Sequence, residues 1–454
     1  MPCTIKVTQI HVRWCCERGA AMTPAARLQA VIEILDALDT QPAEQVVNDY
    51  LRQRRYIGSK DRKAVTAMAY DLLRHRARLA WRLERGGGAA AAPRQQLLAY
   101  LALFTQETPE SLRGLFDGGR YAPAPLTPEE GALVERLDDP VLRAQAPPAW
   151  VAHEVPEWIM PRLEAAFGEA VGAETDALLG EAPTDLRVNT LLATRGAAQA
   201  ALAEEGIKTT PTPLSPRGLR VAGRRALRAS LAFAAGLVEL QDEGSQLAAL
   251  LCEARSGMAV ADLCAGAGGK TLALAAEMAG QGRLLAMDVQ QARLDRSALR
   301  LRRAGAGFVE RRAARDLAAA EDLHGTFDRV LVDAPCSGSG AWRRHPDARW
   351  RLTPEALEGY KAAQREALGR AAKLVKPGGR LVYVTCSLLP EENVEQAAAF
   401  LAAAPDFTAK PVEAAWQAVL EAPYPGGDPY LTLTPARHGT DGFFIAIFER
   451  KEAA

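Results

Sequence analysis

Two cysteines in this chain each close a run of residues that reads as a β-strand. Cys336 ends Val330-Leu-Val-Asp-Ala-Pro-Cys336, and Cys386 ends Leu381-Val-Tyr-Val-Thr-Cys386. Each follows a short apolar, β-branched run and precedes polar, turn-prone residues, so each thiol is expected where a buried strand opens onto a loop. In an open α/β sheet, ligands and chemistry collect at the carboxyl ends of the strands. A single cysteine there is more often a small buried hydrophobe than a nucleophile. Here there are two, each in a polar turn frame: Asp-Ala-Pro-Cys-Ser-Gly and Thr-Cys-Ser-x-x-Pro-Glu-Glu-Asn. The pair points to covalent chemistry. Methylation at C5 of a pyrimidine is one reaction that needs two thiols. C5 is a poor nucleophile until a thiolate adds to C6 and pushes electron density onto it. N3 must then receive a hydrogen bond or proton, for which Asp333 is the nearest candidate acid. A second group must help the C5 proton and the thiol to leave.

A methyl donor needs a site of its own. Ala261-Asp-Leu-Cys-Ala-Gly-Ala-Gly-Gly-Lys-Thr271 follows a predicted strand and opens a helix. Gly266, Gly268 and Gly269 let backbone approach a ligand closely, and the helix start adds unpaired N–H groups. Some twenty residues on, Asp288 ends the next strand, where an acid accepts hydrogen bonds from ribose hydroxyls. The order strand, glycines, helix, acid reads as a nucleoside-cofactor site. A P-loop would need glycine where Cys264 stands, so nucleotide hydrolysis is the runner-up. A dinucleotide dehydrogenase would leave Cys336 and Cys386 unexplained. Cys264 lacks a polar turn frame and reads as packing.

Gly340-Ala-Trp-Arg-Arg-His-Pro-Asp-Ala-Arg-Trp-Arg351 interleaves aromatics with Arg343, Arg344, His345 and Arg349, a mixture suited to phosphates and stacked bases of an unpaired strand. A second basic tract, Arg52 to Arg85, is opposed only by Asp61, Asp71 and Glu84. It reads equally as a nucleic-acid footprint or a solvated helix face. Arg293, Arg296, Arg300 and Arg303 recur at helical spacing and read as a solvated face.

The elements that must hold these residues fall into blocks. The chain has 454 residues, 48% hydrophobic and 24% charged, with zero net charge, which is the composition of a soluble multidomain protein. Its seven cysteines are scattered, with neither zinc spacing nor disulfide density, so a reduced cytoplasmic setting and no metal are expected. No run is long and apolar enough to span a membrane. Residues 1–21 read as a disordered leader. Residues 22–145 read as an all-α domain, opened by Thr23-Pro24 and carrying a capping box at Thr127-Pro-Glu-Glu130. Residues 150–245 read as a small α+β domain, with strands at Leu186–Leu191, Leu219–Val221 and Leu237–Leu240. From 246 to 454 strand and helix alternate, as in a doubly wound, Rossmann-like α/β domain with a parallel sheet. Its strand candidates are Met258–Leu263, Arg283–Met287, Phe308–Arg311, Arg329–Val332, Arg380–Val384 and Gly442–Phe448.

From about Asp185 to Arg450 these residues resemble the Sun/Fmu family of RNA cytosine-5 methyltransferases. The resemblance is specific at Asp262–Thr271, Asp333–Gly338, Arg343-Arg-His-Pro-Asp347, Thr385-Cys-Ser387 with Pro390-Glu-Glu-Asn393, and Asp441-Gly-Phe-Phe444. The helical block, with Tyr56-Ile-Gly-Ser-Lys-Asp-Arg62, resembles the NusB-like RNA-binding domain fused to the bacterial small-subunit ribosomal RNA methyltransferase B group. The resemblance implies Cys386 as nucleophile and Cys336 as the group that helps release. It implies cofactor contacts from Cys264, Ala265, Gly266, Ala267, Gly268, Gly269 and Lys270, and from Asp288 and Asp333, with Lys270 and Asp333 also near the target base. Two positions depart from the family pattern. Ala267 stands where many relatives have proline, and Ala313 where they carry an adenine-side aspartate, with Asp316 three residues on.

The expectation is therefore a monomeric, S-adenosylmethionine-dependent methyltransferase acting on cytosine C5 in RNA, most simply ribosomal RNA. A non-catalytic RNA-binding assembly factor that retains the fold is the alternative from another class. Methylation of a protein or small molecule would make Cys386 dispensable.

Overall fold

In the computed structural model the described residues are 22–38, 41–223, 225–313, 321–427 and 429–452. The expected leader at residues 1–21 and Asp316 both lie outside them. The chain divides after Glu154 into two compact units.

The first unit is helical throughout its described residues. Pro24–Asp36 starts as the sequence predicts: the Thr23 hydroxyl accepts from the Ala26 N–H and proline occupies the first turn. The capping box is also present, with Thr127 and Glu130 each satisfying the other's backbone at the head of Pro128–Asp138. Helices Ser59–Arg74, Arg76–Arg85 and Pro93–Phe104 bury Val65, Leu72, Leu83, Leu97 and Leu98 in one apolar core. Glu154 is fully buried and accepts from the Ala77 and Arg78 backbone N–H groups, so it caps a helix far from it in sequence.

The second unit begins with a four-stranded antiparallel sheet. Its strands are β1 (Asp185–Val188), β2 (Thr209–Pro211), β3 (Gly218–Val221) and β4 (Val238–Leu240), in the order β2-β3-β1-β4. Three of the four are where the alternation places them; β2, a three-residue edge strand, carries too short a pattern to read.

A larger sheet follows, built from β5 (Ala259–Leu263), β6 (Arg283–Asp288), β7 (Glu310–Ala313), β8 (Phe327–Asp333), β9 (Val375–Thr385), β10 (Phe407–Lys410), β11 (Leu431–Leu433) and β12 (Phe443–Arg450). It runs β10-β12-β9-β8-β5-β6-β7, with β11 beside β12. Strands β9-β8-β5-β6-β7 are parallel, whereas β10, β11 and β12 pair antiparallel, so the sheet is mixed and not purely parallel as the alternating pattern predicts. Strand order reverses between β5 and β8, and that switch point opens a crevice at the carboxyl ends of the strands.

The arginine stripe is a solvated face only in its first half, where Arg293 and Arg296 are exposed. Helix Gln291–Arg303 turns Arg300 and Arg303 onto Glu239 of β4, and Arg300 also donates to the Ala267 carbonyl at 2.8 Å. The same seam is closed by Asn189, whose Nδ2 donates to the Gly236 and Ala304 carbonyls at 2.9 Å each. Gly236 has φ +75°, and a Cβ there would lie 2.3 Å from the Arg303 carbonyl oxygen. The small sheet is thus held against the large one by buried polar contacts and one backbone approach that only glycine permits. Gly236→Ala is expected to cost about 1–3 kcal/mol, read as a lower denaturant midpoint. An unchanged midpoint would show that the seam can yield at no cost.

Candidate active site

Strands β8 and β9 run side by side in parallel, with Asp333 opposite Val384. Their loops leave the same edge of the sheet, and this carries the Cys336 and Cys386 sulfurs to 3.4 Å from one another. The thiols that stand fifty residues apart in sequence therefore form one group. The hydrogen bond to Cys386, then burial, hold the Cys336 thiol well above the usual cysteine range, with the charges of Cys386 and Glu392 adding to the effect.

The turn frames explain how the sulfurs are fixed. Asn393 accepts from the Thr385 hydroxyl at 2.6 Å and donates to the Ser387 carbonyl at 2.9 Å, tying the residues on both sides of Cys386. The Gly340 N–H donates to the Cys386 carbonyl at 2.9 Å, and the Gly442 N–H to the Gly340 carbonyl at 2.9 Å. A Cβ on Gly340 would sit 2.3 Å from the Gly442 oxygen. Three loops, after β8, after β9 and before β12, thus interlock through bare backbone.

Beside the sulfurs lies a cleft of about 560 Å³. Cys264, Ala265, Gly266, Ala267, Gly269, Lys270, Asp333, Cys336 and Cys386 line it, together with Gln241, Asp242 and Ser245, which sequence reasoning missed. Gly266 and Gly268 take φ +56° and +83°, and helix Gly269–Glu277 begins where the loop ends. Cys264, at φ +74°, adopts the left-handed conformation too, so the residue that spoils the P-loop match keeps a backbone shape usually reserved for glycine. Gly268 and Asp288 lie behind the lining. Asp288 is 2% exposed and accepts from the Gly266 N–H at 2.9 Å and the Gln290 N–H at 2.8 Å, so it shapes the glycine loop from below.

Lys270 and Asp333 meet in the cleft, Nζ to Oδ2 at 2.7 Å. Burial disfavours the ammonium, but Asp333 more than offsets this, and Cys386 adds a smaller pull, so the Lys270 pKa lies above its ordinary value. Lys270 therefore brings a fixed positive charge to the neighbourhood of Cys386.

The arginines expected to meet RNA are differently employed. Arg343, 5% exposed, donates to Asp441 at 2.7 Å and to the Gly439 carbonyl. Arg344 donates to Asp441 at 2.5 Å and Asp242 at 2.9 Å. Arg349 is fully buried, against Trp342 and the Leu178 carbonyl. Arg343 and Arg349 brace the loop after Cys336 from inside the protein, which corrects the expectation that they face RNA, whereas Arg344 is half-buried and tied to the same aspartates. His345 alone of that set is exposed. Burial and the nearby Asp441 push Asp242, on the cleft wall, up to about 6 against the pull of Arg344 and Arg343.

Asp262 is fully buried on β5. Its Oδ2 accepts from the Thr271 hydroxyl at 2.6 Å, while Oδ1 has no protein partner. Burial raises it to about 7; Thr271 and Lys270 pull it down, Asp333 and Asp288 push it up. A carboxyl that binds its proton more tightly folded than unfolded loses stability as pH rises from its unfolded value, 3.8, through its folded one. Asp262→Asn is therefore expected to flatten the fall in melting temperature between about pH 4 and pH 7. Parallel curves for variant and wild type would show that Asp262 does not titrate there.

Comparison with known proteins places this geometry. The profile described as "16S rRNA methyltransferase RsmB/F" matches residues 249–449, and that described as "Methyltr_RsmF/B-like, ferredoxin-like domain" matches residues 155–228. A Klebsiella pneumoniae protein named "Ribosomal RNA small subunit methyltransferase B" is 30% identical over 434 residues, 91% of this chain and 97% of its own length. A Synechocystis protein named "Probable ribosomal RNA small subunit methyltransferase B" is 34% identical over 302 residues, covering 66% of this chain and 67% of its own. The solved structure described as "Crystal Structure of PH0851" superposes with TM-score 0.75 at 26% identity, over 95% of this chain and 100% of its own. A methyltransferase homologue from Pyrococcus horikoshii superposes at 0.58 with 27% identity, over 67% of this chain and 100% of its own. The methyl donor is S-adenosylmethionine, and the cleft fits it: two glycines at positive φ open the backbone, a helix start faces it, and Lys270 and Asp333 add polar groups. A Rossmann-like mixed sheet, a ferredoxin-like sheet ahead of it and a paired-thiol cleft at the switch point make this chain a methyltransferase of the 16S rRNA methyltransferase RsmB/F family.

Proposed function

We propose that this protein methylates C5 of a cytosine in ribosomal RNA, through a transient bond between Cys386 and C6 of the base. The single observation that carries the reading is the approach of two sulfurs to 3.4 Å on the wall of the cofactor cleft. A merely RNA-binding relic would have no use for that pairing, nor for a buried ammonium beside it. The relatives' names supply the RNA class: they act on small-subunit ribosomal RNA.

The residues divide the labour as follows. The Cys386 thiolate adds to C6, and the π electrons of the C5–C6 bond move toward C5 and N3. Lys270, held by Asp333, favours the thiolate, and the Lys270–Asp333 pair is assigned to the N3 edge, the ammonium supplying the hydrogen bond as charge builds there. S-adenosylmethionine supplies an electrophilic methyl group on a sulfonium. Once C5 carries the methyl, the C5 proton passes to solvent water and the C5–C6 double bond re-forms, while Cys336, a thiol, gives its proton to the departing Cys386 sulfur. Attack on C6 requires a free ring face, so the target base must be unpaired or drawn out of its stack.

The helical unit is assigned to RNA capture, as a NusB-like domain. Tyr56 is 73% exposed and stands between the exposed Arg55 and Lys60, with Lys63 one turn further along. Basic groups around an aromatic face suit a single strand. Among the described residues no helix is long and apolar enough to cross a membrane.

Two sets of variants test this. Cys386→Ala is expected to abolish transfer of tritiated methyl to RNA. Cys336→Ala is expected to leave attack intact and accumulate a protein–RNA adduct that survives denaturing electrophoresis. An adduct in Cys386→Ala instead would reverse the two roles, and transfer undiminished in Cys386→Ala would sink the covalent route. Lys60→Ala with Lys63→Ala is expected to weaken RNA binding at all sequences and lower the salt slope by about two. An unaltered slope would remove this face from the RNA contact.

A further inference from the structure

The two sulfur-bearing loops meet below the cleft at one side chain. Glu392 is fully buried. Its Oε1 accepts from the Ser337 N–H at 2.8 Å and Gln364 Nε2 at 3.0 Å, and its Oε2 accepts from the Ser337 and Ser387 hydroxyls at 2.5 Å each. Ser337 follows Cys336 in the chain and Ser387 follows Cys386. The two hydroxyls are also 3.2 Å apart, and Ser339, 3.1 Å from Ser387, accepts from the Leu388 N–H at 2.7 Å. A buried carboxyl normally costs free energy unless every oxygen is satisfied. Here both oxygens are satisfied, and donors from both loops end on them.

We propose that Glu392 is a positioning residue that keeps the Cys336 and Cys386 sulfurs in register, so that methyl addition and release can follow one another in a single closed site. This deepens the function proposed above and rests on it. Glu392 is absent from the cleft wall and has no contact with either sulfur, so it acts through the two serines. Ser339 also touches both hydroxyls, at 3.3 Å from Ser337 and 3.1 Å from Ser387, but these are longer hydroxyl–hydroxyl contacts, whereas Glu392 holds both hydroxyls at 2.5 Å on one carboxylate oxygen. Its negative charge also adds to the forces that keep Cys336 protonated. Removing it is therefore expected to spoil the later, Cys336-dependent step more than the first attack.

The test uses the full chain with three readouts: S-adenosylmethionine affinity by equilibrium dialysis, single-turnover methylation of ribosomal RNA, and adduct on denaturing gels. Glu392→Gln is expected to bind S-adenosylmethionine as the wild type does, to lose methylated-RNA release by about 10²-fold, and to accumulate adduct. Ser337→Ala with Ser387→Ala, which keeps the charge but cuts both tethers, is expected to move in the same direction and carries the test if Glu392→Gln does not fold. Variants that turn over like wild type without adduct would overturn the proposal. So would equal losses of cofactor affinity and methylation, the signature of a general structural role. Wild-type protein that never methylates cytosine C5 would instead remove the function on which both rest, and would be seen before any variant is compared.

Discussion

Two neighbouring parallel strands lie about 4.8 Å apart, and whatever leaves their carboxyl ends on the same side must share that space. In this protein the pairing of β8 with β9 imposes that closeness on Cys336 and Cys386. Most other features of the second unit serve it. Strand β5, next to β8, brings the glycine loop and Lys270 to the same edge. Asn393 and Glu392 pin the turn that carries Cys386. The arginines of the loop after Cys336 are spent on Asp441 and Asp242 inside the protein. A sheet register therefore sets the spacing of the two sulfurs, and the side chains around them keep it there.

The polar interior around this edge is dense and largely satisfied. Arg343 and Arg344 share Asp441 and Asp242, four buried or half-buried charges in one network. Such groups are costly to bury singly and tolerable only as a set. Their value lies in direction: planar guanidinium forks fix two carboxylates, and through them the loops before β12 and before the helix Glu243–Leu250. The cleft is walled on one side by that network and on another by the Lys270–Asp333 pair, so its charge pattern is set by ion pairs.

The readability of the chain followed the range of its interactions. Interior strands β5, β6, β8 and β9 announce themselves by apolar runs, and the glycine loop and both turn frames by local spacing. Strand β7 was offset by two residues from Phe308–Arg311 because its exposed Glu310 and Arg311 blunt the pattern. Strands β10 and β11 have no run long enough to stand out and exist because β12 offers them an edge. Arg343 and Arg349 were misread for a different reason. An arginine looks the same in sequence whether its partner is a phosphate or an aspartate a hundred residues away, as Asp441 is for Arg343. The stripe of Arg300 and Arg303 was misread likewise, since Glu239 gives no local sign of waiting for them. Glu392 was visible as part of a turn frame, but its reach to both loops was not.

The Gly340–Gly442 contact has a temporal side. Gly442 introduces β12, a strand inserted between β9 and β10 in the large sheet, yet it follows every other described strand in chain order. A ribosome will have made both sulfur loops, the glycine loop and the whole small sheet before the residues that lock them together emerge. Until Phe443–Arg450 slides into place, β9 has an open edge and the Cys386 turn lacks its backstop. A nascent chain would thus carry its thiols unlocked, and competence would arrive in one late event, when the final strand closes the sheet.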